Sequence, residues 1–311
     1  PTSTVHNIRI STALELNIGH RFNFEQQRDK KGLDMEEKKR DNRNRARSIL
    51  GDFLVKEKRE FFSVDIWRAN VAEFLGTMML VCIVAIGTSI YPKKEPNSSV
   101  HVALAAGFYI GSVIAILMRV SGGHVNPAIS VGFLVAGKIT WCRFVLYVIF
   151  QSLGAIAGAA IMTAMVPEAM HQGFGVVMPG KDVTELQALS CEVLVTFYLV
   201  FGTFALLDPG RDDVKGSVPL MIGLMVSVGI FGGWHISGGC MNPARAFGPA
   251  VIARNFQHQW IYWVGPLLGA ALGSFLYKIL FSTSVNIERS ACRSGEASEI
   301  ELSEQATPLR D

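Results

Sequence analysis

Ser121-Gly122-Gly123-His124-Val125-Asn126-Pro127-Ala128 and Ser237-Gly238-Gly239-Cys240-Met241-Asn242-Pro243-Ala244 are near-copies of one octapeptide, alike at six of eight positions. A lone Asn-Pro-Ala is weak, because turns and helix starts use Asn-Pro freely. A duplicated octapeptide built around it is not chance. Each copy opens a modestly apolar segment, 121–137 and 236–253, too short to cross a membrane that needs roughly 20 residues of helix.

Around the two copies lie six longer apolar stretches, 66–91, 100–120, 139–166, 186–207, 217–235 and 259–282, each read as a spanning helix. Trp67, Tyr91, Trp141, Trp260 and Trp263 fall near their ends, where interfacial aromatics belong. Lys56, Lys58, Arg59, Arg68, Arg119, Lys138, Arg143, Arg211, Lys215 and Lys278 share one side. Lys93, Lys94, Lys181 and Arg254 share the other. The richer side is expected to be cytoplasmic and to carry both termini. The N-terminal stretch lacks a signal peptide's short apolar core, so the first span is expected to direct insertion.

The repeat extends beyond the octapeptides. Glu73 and Glu192 each begin a Glu-x-x-x-Thr element early in a span, a similar distance before Asn126 and Asn242. Gly154 and Gly158 are echoed by Gly265, Gly269 and Gly273, small residues spaced for close helix contact. Three spans separate one copy from the next, so the halves insert upside down relative to each other. The fold class is therefore all-α: six transmembrane helices plus two re-entrant half-helices in an inverted repeat. Its channel domain is 66–283, between charged tails at 1–65 and 284–311.

Irregular backbone at membrane depth is tolerated only inside protein or beside a water-filled cavity. The glycine-rich lead-ins provide such backbone, with carbonyls of Gly122, Gly123, His124, Gly238 and Cys240 expected to face a pore. Pro127 and Pro243 suit a first helical turn, and Asn126 and Asn242 suit the cap before it. Two helix N-termini meeting at mid-membrane place partial positive charge at one point, repelling cations and orienting a passing water's oxygen.

Composition agrees with a membrane protein. Half of the 311 residues are hydrophobic and only 18% are charged, against the ~25% usual in soluble proteins; the mean hydropathy is +0.31. The net charge of +3 says little about partners, and no basic groove or finger spacing suggests nucleic acid. Cys82, Cys142, Cys191, Cys240 and Cys292 form neither a metal site nor a disulfide framework. No nucleophile–base pair, phosphate loop or cofactor motif appears, so no enzyme and no cofactor are expected.

The paired Asn-Pro-Ala boxes, Arg245 directly after the second and the twin Glu-x-x-x-Thr elements resemble the aquaporin (major intrinsic protein) family over roughly 66–283. Residues 237–251 and 260–266 resemble most its aquaporin-eight-like, ammonia-permeable branch. The resemblance implies a homotetramer with one pore per subunit, passing water and small neutral solutes across the bilayer, with the plasma membrane as the expected location. It places Ala106, Ile230, Gly239 and Arg245 at the selectivity filter. Water-strict relatives carry Phe and His at two of these places, whereas Ala106 leaves a wider and drier ring. Urea, ammonia, hydrogen peroxide and boric acid are the candidate extra solutes, and Phe108 or Tyr109 the bulky neighbours that could fill the gap. Ala246 and Tyr262-Trp263 stand where glycerol channels usually have Asp and Pro-Leu.

Several residues carry two readings. Arg245, an ionisable group costing at least about 2.5–3.5 kcal/mol at a helix centre, needs a watery or hydrogen-bonding site, which a pore supplies. Glu73 and Glu192 are either a transporter's proton relay or braces for the loops. His124 either lines the pore or packs beneath it, and Cys240 is either a reactive or an inert thiol. Asn97 heads a glycosylation sequon in the first outer loop, or is an unmodified asparagine. Ile49, Leu50, Phe53 and Leu54 form one face among basic residues, suiting a helix on the anionic inner leaflet or a charged tail without structure. A structural junction protein with a blocked pore is the third class beside channel and transporter.

Overall fold

A computed structural model of the chain describes residues 35, 38–40, 45, 47–88, 99–170, 172–211, 213 and 215–283. Asn97 lies outside them. Two compact units divide at Arg59/Glu60. In the first, the stretch from residue 47 onward is helical, with Ile49, Leu50, Phe53 and Leu54 exposed; of the two sequence readings for this stretch, the helix is the one observed.

Among the described residues of the second unit eight α-helices follow in order: α1 (Val64–Thr88), α2 (Ser99–Leu117), α3 (Pro127–Val135), α4 (Trp141–Met165), α5 (Glu185–Leu206), α6 (Val218–Gly233), α7 (Pro243–Ala253) and α8 (Gln259–Leu276). A single π turn, Tyr277–Phe281, extends α8. The described residues contain no β-strand. Among the described residues five helices are long and apolar enough to span a membrane. The sixth span, read at 217–235, is shorter as a helix. At 16 residues, α6 is about 24 Å long. Ser217 caps it, Pro219 occupies its first turn, and beyond Gly233 the chain continues as a turn through Ser237.

Exposed Ile116, Leu186, Leu194 and Phe275 face outward, while Glu73, Gln151 and Glu192 are wholly buried. That distribution inverts the soluble pattern and suits a lipid surround. The halves interlock. α1 packs on α4 and α5 on α8, while α2 and α6 meet across the pseudo-twofold axis. Each half-helix leans on the other half: α3 on α8, and α7 on α4. The α1–α4 approach depends on Gly154 and Gly158, where a Cβ would collide with the backbone of Phe74 and Met78.

On the face from which α1 starts, Arg143 Nε donates to Glu60 Oε1 at 2.7 Å and the Trp67 indole donates to Phe61 O at 3.2 Å. These contacts tie residues 60–61 to the helical bundle, ahead of the boundary read at 65/66. On that same face Asp208 closes the α5–α6 loop onto the end of α8. Its carboxylate accepts from Thr283 Oγ1 (2.6 Å), Thr283 N (3.0 Å), Gly210 N (3.1 Å) and Tyr277 Oη (2.9 Å). Burial pushes the Asp208 pKa up, but these donors outweigh it and hold the group at about 2. A depressed folded pKa stabilises above the ordinary carboxylate value and ceases to do so as pH falls through the folded one. Wild type minus Asp208→Asn in melting temperature is therefore expected to be positive and flat from pH 8 to 5, shrinking only below about pH 4. A difference that vanishes already at pH 6 would contradict this latch.

Candidate pore and selectivity filter

Both octapeptides turn sharply. Gly122 and Gly123 have φ of 90° and 63°, and Gly238 and Gly239 have 89° and 59°. Val125 (43°) and Met241 (54°) also sit in the left-handed region, costly for a β-branched valine above all. The buried carboxylates hold these turns. Glu73 accepts from His124 N at 2.9 Å and from Val125 N, and Glu192 accepts from Cys240 N and Met241 N, both at 2.8 Å. Ser237 Oγ donates to Glu192 at 2.7 Å, and Gln151 Nε2 donates to Glu73 at 2.8 Å. Tyr147 Oη donates to Ser121 O (2.6 Å) and Tyr262 Oη to Ser237 O (2.9 Å), matching clamps on the two loops.

Each turn ends at an asparagine with a double task. Asn126 Oδ1 accepts from Ala128 N (2.8 Å) and Asn242 Oδ1 from Arg245 N (3.2 Å), capping α3 and α7 ahead of Pro127 and Pro243. Their amides reach across the axis: Asn126 Nδ2 donates to Met241 O at 2.8 Å, and Asn242 Nδ2 to Val125 O at 2.9 Å. Ala128 and Ala244 are fully buried behind the caps.

Three cavities run end to end through the second unit. The one toward the α1-start face is lined by Gly122, Gly123, His124, Asn126, Ile129 and Phe133 among others. It shares Ile110, Asn126, Leu199 and Val226 with a middle cavity whose walls include Asn242, Gly238, Gly239, Cys240, Ala106, Ile230 and Arg245. The middle cavity shares Trp234, Gly238 and Arg245 with a vestibule on the far face. All four filter positions and all five carbonyl positions thus border one path. His124 does both things considered for it, lining the cavity while Nδ1 meets Ser130 Oγ at 3.0 Å and its ring packs on Phe133 and Tyr147. The Cys240 thiol, buried beside the path, donates to Asn242 O at 3.2 Å.

Arg245 Nη1 donates to Gly175 O at 2.9 Å, so the α4–α5 loop positions the guanidinium. Gly173, Phe174 and Gly175 all have positive φ there, and Gly175 also lines the vestibule. The bulky residues expected to fill the gap at Ala106 are elsewhere. Phe108, two residues on, leaves the face of Ala106 and is 54% exposed, whereas Tyr109, three residues on, packs on the same core cluster but sends its Oη to Gly76 O and does not line the middle cavity. Trp234 lines the path instead.

A continuous path between two opposed helix N-termini, with Glu73 and Glu192 both engaged by loop donors, defines a membrane pore. The profile described as Major intrinsic protein matches residues 60–277. Human (Homo sapiens) "Aquaporin-4" is 39% identical over 227 residues, 72% of this chain and 70% of that protein. The "Lens fiber major intrinsic protein" of Lithobates pipiens is 38% identical over 221 residues, 71% of this chain and 84% of that protein. The X-ray structure of the aquaglyceroporin from Plasmodium falciparum superposes with a TM-score of 0.63 at 20% identity, covering 71% of this chain and 99% of that one. The chain belongs to the major intrinsic protein family. It is a passive water channel and not an enzyme.

Proposed function

We propose that this water channel also passes small uncharged solutes, in a homotetramer of the plasma membrane with both termini in the cytoplasm. The supporting observation is the filter wall: Ala106, Ile230 and Gly239 border the cavity at Arg245, and none has a side-chain hydrogen-bonding group. A filter selects by diameter and by the partners it offers. Removing bulk at 106 admits ammonia, hydrogen peroxide, urea or boric acid, while loop carbonyls still accept from water. Glu73 and Glu192 act as braces, since their oxygens are occupied by loop donors that a proton relay would have to release. The helix beginning at residue 47 carries four basic against two acidic residues over 47–59, which suits the anionic inner leaflet.

Stopped-flow swelling of proteoliposomes tests the solute range. The wild type is expected to pass water and at least one of the four solutes above the lipid background. Ala106→His is expected to reduce the larger solutes about tenfold and water less than about threefold. Water flux with none of the four solutes would defeat this reading.

A further inference from the structure

With Ala106 and Ile230 in the filter, the ring lacks both an aromatic wall and a side-chain donor opposite Arg245. Trp234 stands one turn beyond Ile230, its backbone N–H bonded to Ile230 O at 2.8 Å in helical geometry (φ −51°, ψ −51°). Residues four apart on a helix stack on one face, so the indole rises from Ile230 along the path. It lines both the filter cavity and the vestibule, in each case together with Gly238 and Arg245. It also packs on the core cluster that contains Ala106 and Ile230.

An indole N–H is a donor only. Among the described residues this one meets no acceptor and is not sealed inside the protein, and the side chain that carries it lines the cavity. The rest of the vestibule wall includes Val176, Val177 and Met178, without side-chain donors.

We propose that Trp234 is the specificity-determining residue of this filter. Its indole narrows the opening that Ala106 leaves and supplies the N–H that Ile230 lacks. A flat indole beside a guanidinium suits planar neutral solutes with hydrogen-bonding oxygens, such as urea and boric acid. It disfavours tetrahedral polyols such as glycerol, which cannot lie flat on it. This rests on the reading that neutral solutes cross the filter.

Wild type, Trp234→Phe and Trp234→Ala are compared in proteoliposomes for water, urea, boric acid and glycerol flux, normalised to inserted protein. Trp234→Ala is expected to raise glycerol relative to water about tenfold. Trp234→Phe keeps most of the bulk, so it should still exclude glycerol while lowering urea relative to water about threefold through loss of the N–H. A glycerol-to-water ratio in Trp234→Ala within about twofold of wild type, with water flux intact, overturns the proposal. If Trp234→Ala does not insert, a urea-to-water ratio unchanged in Trp234→Phe overturns it equally. Should wild type pass no solute but Trp234→Ala admit glycerol, the wide-filter reading falls and the role of Trp234 stands. If neither passes any solute, both fall.

Discussion

Replacing Glu192 with alanine is expected to leave little folded channel. The carboxylate accepts the N–H groups of Cys240 and Met241 and the hydroxyl of Ser237 at full burial. Without it, two buried amides lose their only acceptors on a turn where Met241 already sits at a φ of 54°. At about 1–3 kcal/mol per stranded group, the loss is roughly 2–6 kcal/mol, much of a membrane domain's margin. Size-exclusion recovery and thermal melting in detergent would report it, and Glu192→Gln should fall between because its single oxygen replaces part of the pair. Glu192→Ala recovering and melting like wild type would refute the brace. Gradient-driven solute accumulation that Glu192→Gln abolishes would instead make the protein a transporter.

A second large effect is expected at Arg245. Its guanidinium borders the middle cavity and is anchored to Gly175 O. A unit charge about 5 Å from a passing cation raises its energy by about 3 kcal/mol at an effective dielectric of 20, about a hundredfold in rate. The half-helix ends at Asn126 and Asn242 are expected to act as a second barrier that survives the mutation. Arg245→Val is therefore expected to raise proton or cation leak at least about tenfold while water flux persists, and Arg245→Lys to leak less. Ion flux measured beside swelling on the same vesicles checks this. An unchanged leak in correctly inserted Arg245→Val would remove the residue from ion exclusion.

Much of this architecture was legible in the sequence because it is written twice. The doubled octapeptide, the twin glutamates and the glycine pairs each announced an inverted repeat, and the half-helices begin at the prolines that the repeat marked. The tyrosine clamps were missed although the same logic could have found them. Tyr147 stands as far before Gly154 as Tyr262 stands before Gly269. Gln151 and Gly175 had no such signal, because each serves one half only and the second half has Pro266 where Gln151 would recur. Trp234 read as part of a span because an apolar aromatic near a helix end looks alike whether it meets lipid or a lumen. The paired motifs also carried the family, which relatives named aquaporin-4 and lens fiber major intrinsic protein show.

The crossed asparagine bonds have a bearing on how the protein is made. Val125 O receives its donor from Asn242, 117 positions later, and Asn126 awaits Met241 O over a similar interval. At synthesis rates of about 5–20 residues per second, the first re-entrant turn must wait on the order of ten seconds with its partners unmade. During that interval α3 has neither α8 to lean on nor a facing helix end, and a half-built turn in lipid is expensive. The nascent chain therefore needs a sheltered, hydrated place beside the insertion machinery until translation has passed Asn242, and the first half should be a target of quality control whenever the second is truncated.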